Sequence, residues 1–382
     1  MIPYGKHQIV DADIAAVVDV LENQFLTQGQ MVPAFEQALC EYTQAKYCTA
    51  VNSGTSGLHV ACLALGVGPG DWLWTSPNSF VASANCALYC GAKIDFVDID
   101  PHTRNLDTDE LAAKLQLAKR EARLPKAIVV VHFAGLSCDM QAISALAREY
   151  DVKVIEDAAH GLGGFYKGRP IGSCQYSDIA VLSFHPVKSI TTAEGGAVMT
   201  NDANLAERSV LFAKHGVTRD PDKLTEHHGP WYYQQHELGF NYRMSDIHAA
   251  LGLSQLSRLA SFITARKTLA HRYHKALAEL PVQLPLPNDS TNDSSAWHLY
   301  MIELLSGDRK SVFEQLQSKG IGVNVHYIPI HLQPYYQRMG FTAGQFPCAE
   351  QFYQRAITLP LYPDLQIEQQ DRVIQALREI LK

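Results

Sequence analysis

The chain has little that would place it in a membrane, on a nucleic acid or around a metal. No apolar run approaches the roughly 18 residues that span a bilayer. The opening stretch MIPYGKHQIVDADIAAVVDV sets Asp11, Asp13 and Asp19 where a secretory leader needs an unbroken apolar core, so a cytoplasmic location without membrane contact is expected. Basic residues number 32 against 39 acidic ones, a net charge of −7, and no Lys/Arg tract interleaves with aromatics, which disfavours a polynucleotide partner. The eight cysteines (Cys40, Cys48, Cys62, Cys86, Cys90, Cys138, Cys174, Cys348) contain no C-x-x-C pair, and the 16 histidines no H-E-x-x-H, so no metal site is expected. Such thiols read as small buried hydrophobes of a reducing compartment. Two nucleotide signatures are missing as well. No lysine follows the glycines of NSGTSGL in Walker register, and GVGPGD (66–71) follows a helical run and precedes a strand, the reverse of a dinucleotide fingerprint.

What is present is alternation. With 382 residues, 47% of them hydrophobic, the chain can bury a large core in about two or three domains. Between residues 45 and 201, KYCTAVN, DWLWTS, KIDFVDI, KAIVVVHFAG and VKVIEDA read as strands, and the segments between them have helical period. This pattern predicts parallel strands joined by right-handed crossovers, with helices on both faces. Continuously apolar AIVVVHF fits a strand buried on both sides. Residues 243–280 read as helical, and LPLPNDSTNDSS (284–295) as a surface connection. Beyond it, a strand (WHLYMIELL), a helix (RKSVFEQLQSKG), a strand (IGVNVHYI) and two terminal helical segments make a smaller α+β unit. The expected division is a large α/β domain over 1–250 and a small C-terminal one over 251–382.

Ligands of open parallel sheets collect at the carboxyl ends of the strands. Three loops carry chemistry there: VNSGTSG, VIEDAAHG and VLSFHPVK. In the first, Gly54 permits close backbone approach at a helix start, where free N–H groups with the Thr55 and Ser56 hydroxyls suit one phosphate; taken alone, the loop is better explained by ordinary helix capping. In the second, Asp157 ends a buried run and needs a cationic or hydrogen-bonding partner, which a protonated ring nitrogen supplies. In the third, Lys188 precedes the crowded TTAEGG turn into another strand, GAVMT. An amine, an acid and a phosphate cradle are together what pyridoxal 5'-phosphate (PLP) requires.

In order and wording, NSGTSGL, SFVASANCALYCGA, VIEDAAHGLGG, SFHPVKSITTAEGGAV and ELGFNYRMSDIHAALGLSQL resemble the nucleotide-sugar aminotransferases of the DegT/DnrJ/EryC1/StrS family, over nearly the whole chain. The resemblance implies a fold-type I aminotransferase and a homodimer with shared active sites. It implies Lys188 as the Schiff-base lysine, Asp157 as partner of the pyridine nitrogen, Phe80 stacked on the cofactor ring and His160 packed close to it. Gly54, Thr55 and Ser183 fall on phosphate-contacting positions with Ser56 adjacent, and Asn241 on one that reaches the phosphate from the neighbouring subunit. Some relatives carry histidine in place of the lysine and perform dehydration; the lysine here supports amino transfer. L-Glutamate is the implied donor.

GVNVHYIPIHLQPYY, the N-terminal PYG and FLTQGQ look most like the pseudaminic acid pathway enzymes that make UDP-4-amino-4,6-dideoxy-N-acetyl-β-L-altrosamine. That likeness places Tyr4, Gln24, Phe25, Leu26 and Thr27, with His326, Tyr327, Ile328 and Pro329, at the substrate, beside Gly54, Ser183 and Asn241. Arg243 meets a donor carboxylate or a sugar phosphate, or pairs with Asp246. The competing expectations are an aminotransferase for another GDP- or dTDP-linked keto sugar, a cofactor-binding regulator without turnover, and an NAD-dependent enzyme, which the missing fingerprint disfavours.

Overall fold

Residues 1–287 and 293–381 are described in this computed structural model; residues 288–292, the middle of the expected 284–295 connection, lie outside them. Seven strands form the main sheet: β1 (Tyr47–Val51), β2 (Trp72–Thr75), β3 (Lys93–Phe96), β4 (Ala127–Val131), β5 (Lys153–Asp157), β6 (Ile179–Ser183) and β7 (Gly196–Thr200), in the order β1-β7-β6-β5-β4-β2-β3. From β6 through β3 the pairings are parallel, as the alternation requires. β7 runs antiparallel to both β6 and β1. The difference has a local cause: the Lys188 loop joins β6 to β7 at one end of the sheet with no crossover helix, so the return strand must reverse.

All five residues of β4 are buried, with Ala127 and Val129 in one core cluster and Ile128 and Val130 in another, because helices cover both faces. Ahead of the sheet come α1 (Asp11–Asn23) and α2 (Met31–Thr43); α3 (Gly54–Ala64) follows β1 and α4 (Ala82–Tyr89) follows β2. Gly57 lets α3 lie close on the sheet, since a Cβ there would come 2.7 Å from Val181 Cγ1.

The expected helical run is two helices, α5 (Asp246–Leu256) and α6 (Leu259–Leu277), interrupted at Ser257–Arg258. After them a three-stranded antiparallel sheet, β8 (Val282–Gln283), β9 (Tyr300–Leu304) and β10 (Ala356–Leu359), packs with α7 (Arg309–Ser318) and α8 (Ile367–Ile380) around its own core. IGVNVHYI is not a regular strand. It makes single bridges, Ile321 to Ile2 and Asn324 to Thr358, because its two ends serve different neighbours. The N-terminus is stitched alongside: the Ile2 N–H donates to the Gly320 carbonyl at 2.8 Å and the Leu361 N–H to the Tyr4 carbonyl at 3.0 Å. Among the described residues no helix is long and apolar enough to cross a membrane.

Candidate active site

The three chemistry-bearing loops converge. The carboxyl ends of β1, β5 and β6 open on one cavity of about 400 Å³, closed from the other side by Tyr4, His298, Asn324, His326 and Tyr327. A larger depression of about 570 Å³ beside β3 shares none of these residues; its Asp95, Asp98, Asp107 and Glu110 suit an anionic ligand poorly.

At the end of β1, the Ser53 side chain caps α3 by accepting from the Ser56 N–H at 3.0 Å, and the Ser53 carbonyl accepts from Gly57. The N–H groups of Gly54 and Thr55, earlier in the first turn, remain for a ligand at the cavity wall. Gly54 backs onto Ser183, where a Cβ would come 2.9 Å from Ser183 Cβ, and Gly196 of β7 is as confined, since a Cβ there would come 2.6 Å from the Ser53 carbonyl carbon. Ser56 turns inward instead: its hydroxyl donates to Asn52 Oδ1 at 2.5 Å, away from the cavity.

β5 ends in two carboxylates that the pleat sends to opposite faces. Glu156 is occupied by His132 Nε2 at 2.8 Å and by the Ser177 hydroxyl at 2.5 Å. Asp157, 5% exposed, faces the cavity; Oδ2 accepts from Ser83 Oγ at 2.6 Å, itself 2.7 Å from Ser79 Oγ, and Oδ1 accepts from the Ala159 N–H at 3.1 Å. Buried donors thus orient the acid without neutralising it.

Lys188 reaches the same cavity from the β6–β7 loop, its N–H bonded to the His185 carbonyl at 2.8 Å. Burial pulls its ammonium pKa from 10.5 to about 8, against an opposite pull from Asp157. Three histidines around the cavity are held uncharged. Burial, then the Lys188 charge, pushes His160 well below the usual imidazole range and His326 to about 4; burial, then His160 and Lys188, does the same to His298. The His160 Nε2 lies 3.2 Å from the Tyr327 hydroxyl, and His326 Nδ1 lies 2.8 Å from Thr358 Oγ1. Tyr4 sits 5.5 Å from His326, ring to ring, and Phe80, 58% exposed, 6.3 Å from Tyr327.

Of the expected residues, Gly54, Thr55, Phe80, Asp157, His160, Ser183, Lys188, Tyr4, His326 and Tyr327 line the cavity. Others do not reach it within one chain. Gln24 to Thr27 lie on the α1–α2 connection with Phe25 78% exposed; Asn241 is exposed, its carbonyl 3.4 Å from Asn52 Nδ2; Ile328 is 45% exposed, and Pro329 is buried away from the cavity. Arg243 bridges Val51 through its backbone and makes no pair with Asp246, whose carboxylate is taken by the N–H groups of Gly29, Met31 and Val32 at 2.9, 2.8 and 3.2 Å. Sequence reasoning missed Ser79, Ser83, His298 and Asn324. Ser79, Ser83 and Asn324 left a trace, as polar residues within segments already singled out.

An unengaged helix start walled by a glycine that admits no Cβ, a buried oriented carboxylate and a lysine of lowered pKa, all on one cavity, fit PLP. The sequence pattern of the DegT/DnrJ/EryC1/StrS aminotransferase family matches residues 7–378. The spore coat polysaccharide biosynthesis protein SpsC of Bacillus subtilis is 38% identical across all of this chain and 97% of its own length. Streptococcus pneumoniae Spr1654, put forward as a sugar aminotransferase and solved in PMP and PLP forms, is 30% identical; its PMP form superimposes with a TM-score of 0.90 over 100% of this chain and 99% of its own. Helicobacter pylori PseC, an aminotransferase of pseudaminic acid biosynthesis, is 31% identical with a TM-score of 0.87, covering 100% and 99% of the two chains. This chain belongs to the DegT/DnrJ/EryC1/StrS aminotransferase family, on the fold-type I architecture.

Proposed function

We propose that this nucleotide-sugar aminotransferase moves the amino group of L-glutamate to C4 of a UDP-linked 4-keto-6-deoxy-N-acetylhexosamine, giving UDP-4-amino-4,6-dideoxy-N-acetyl-β-L-altrosamine for pseudaminic acid biosynthesis. That the protein is a PLP-dependent aminotransferase follows from its family. The finer reading rests on one observation: GVNVHYIPIHLQPYY looks most like the pseudaminic acid pathway enzymes, and its His326 and Tyr327 wall the cavity that Lys188 enters.

Bound PLP supplies an electron sink for the carbon that exchanges the amino group. The chain's own residues do the rest. The Gly54 and Thr55 N–H groups, with Ser183, hold the phosphate, and the Asp157 carboxylate, fixed by Ser83 and Ala159, holds a proton on the pyridine nitrogen. Lys188 would hold the cofactor through its amine and would move the proton at the reacting carbon; a pKa of about 8 leaves its Nζ partly unprotonated near neutral pH. His160 and Phe80, both lining the cavity, would hold the ring. Tyr4, His326 and Tyr327 meet the sugar nucleotide.

The working unit is a cytoplasmic homodimer. A second copy covers the exposed Phe25 and Leu26 and brings Gln24 to Thr27, Asn241, Arg243 and Ile328 to its neighbour's cavity. The assay that decides the substrate supplies the UDP-4-keto intermediate, L-glutamate and mass detection of the aminated product. Faster turnover of a GDP- or dTDP-linked keto sugar would assign another member of the family's chemistry. Mixed Lys188→Ala and Asn241→Ala subunits test sharing: hybrids are expected to differ from the sum of independent protomers.

A further inference from the structure

One buried side chain of the cavity wall has been given no role. His298 lies just ahead of β9, 3% exposed, with its ring centroid 4.3 Å from that of His160 and tilted 37° to it. Neither ring has a partner at Nδ1. The aim of the His298 ring therefore comes from its backbone. Its N–H donates to the Ala134 carbonyl at 2.9 Å, and its carbonyl accepts from Arg266 Nη1 at 3.2 Å. Arg266, 2% exposed on α6, also donates to the Leu361 carbonyl at 2.9 Å, so this clamp joins the two segments that carry His298 and Tyr4. Gly135, at φ +99°, allows the close contact from below: a Cβ there would lie 3.0 Å from the His298 nitrogen.

His160 is held far more loosely. Its one side-chain hydrogen bond runs to the Tyr327 hydroxyl, and Phe133 lies 6.3 Å away, so the ring in closest contact is His298. We infer that His298 is a positioning residue: its backbone-clamped ring backs the His160 imidazole and keeps that ring flat on the cavity wall with Nε2 on Tyr327. The inference rests on the PLP reading of the cavity given above. The groups that face His298 are His160, Lys188, Arg266 and His326, all cationic or able to become so, and with burial they hold its imidazole uncharged. An uncharged aromatic face is thus what the position needs.

The test compares wild-type holoenzyme with His298→Phe and His298→Ala. The alanine variant is expected to lose about 10- to 100-fold in kcat, as a displaced reacting geometry does, with little change in KM for the nucleotide sugar, and phenylalanine to restore most of the loss. In cofactor-free protein labelled with ¹⁵N-histidine, long-range ¹H–¹⁵N spectra are expected to show one His160 tautomer in wild type and His298→Phe, and averaging in His298→Ala. Wild-type kcat with one tautomer in the alanine variant would overturn the inference. So would a phenylalanine variant that melts like wild type yet is as impaired as alanine. If His298→Ala does not fold, His298→Leu replaces it, with the same loss expected because it lacks a ring face. Failure of the PLP reading itself looks different: wild type would then take up no PLP.

Discussion

The two walls of the cavity face the same lysine and are held by different means. On the sheet side, Asp157 is paired in register with Val131 and Val181, and Ser183 with Gly196, so these side chains sit on the stiffest part of the chain. On the opposite side, the residues arrive from irregular segments, Tyr4 from the N-terminus and His326 with Tyr327 from IGVNVHYI, and are fixed by one or two contacts: Tyr4 by the Leu361 N–H, His326 by Thr358, Tyr327 by His160. Chemistry that every member of an aminotransferase family shares needs the first kind of support. Discrimination among sugars can be rebuilt on the second without disturbing it.

If this contrast is right, damage to the sheet wall costs turnover, and damage to the substrate-facing residues of the other wall costs much less; His298 counts with the sheet wall because it acts through His160. The largest effect is expected for Lys188→Ala, which removes both tether and base: kcat falls by ~10⁴-fold or more. Its titration gives a second reading. Cofactor-free protein captures PLP only through unprotonated Nζ, so the capture rate is expected to rise with pH and level off above about 8. Asp157→Asn removes the charge that pulls this pKa upward, so the same curve moves to lower pH, while kcat drops about 10²- to 10³-fold. The sign for stability follows. Folded Lys188 releases its proton near 8 and the unfolded chain near 10.5, so the unfolded state binds more protons between those values. Cofactor-free protein is expected to gain stability as pH rises through that window, and Lys188→Met to flatten the slope of melting temperature against pH.

A smaller effect is expected from Gly54→Ala. The added methyl meets Ser183 Cβ at 2.9 Å and must shift either the α3 start or β6, both of which position phosphate donors. Dilution of the holoenzyme should release PLP about tenfold faster, with kcat at saturating PLP little changed. A fall in kcat as large as that of Asp157→Asn would show that the cradle and the acid are one rigid unit.

How much of this was legible beforehand divides along the same line. The sheet wall could be read because strand-end residues are adjacent in sequence to the runs that place them: VIED announces Asp157 and VLSFHPVK announces Lys188. The reversal at β7 was legible only as a strand–loop–strand turn, since direction depends on where the connection leaves the sheet. His298 gave no signal, because its neighbour in space, His160, is far away in the chain and nothing in WHLYMIELL distinguishes a cavity residue from a strand residue. A pair with Asp246 is one of the two expectations for nearby Arg243, but the N–H groups of a distant segment compete better for that carboxylate.

The smallest effect is expected for Tyr327→Phe, and it bears on the comparison most directly. The substitution keeps the ring that walls the cavity and removes only the hydroxyl 3.2 Å from His160 Nε2. A single hydrogen bond between uncharged groups contributes about 0.5–1.5 kcal/mol, a factor of about 2 to 12. That loss should fall mainly on KM for the nucleotide sugar, because the far wall meets substrate while the acid and the lysine stay in place. It should also leave the PLP absorption band where it was. If kcat fell instead, and fell to the same degree in His298→Ala and in the double variant, then Tyr327, His160 and His298 would act as one unit with the lysine. The division between a working wall and a selecting wall would then have to be drawn beyond residue 327, at the exposed Ile328.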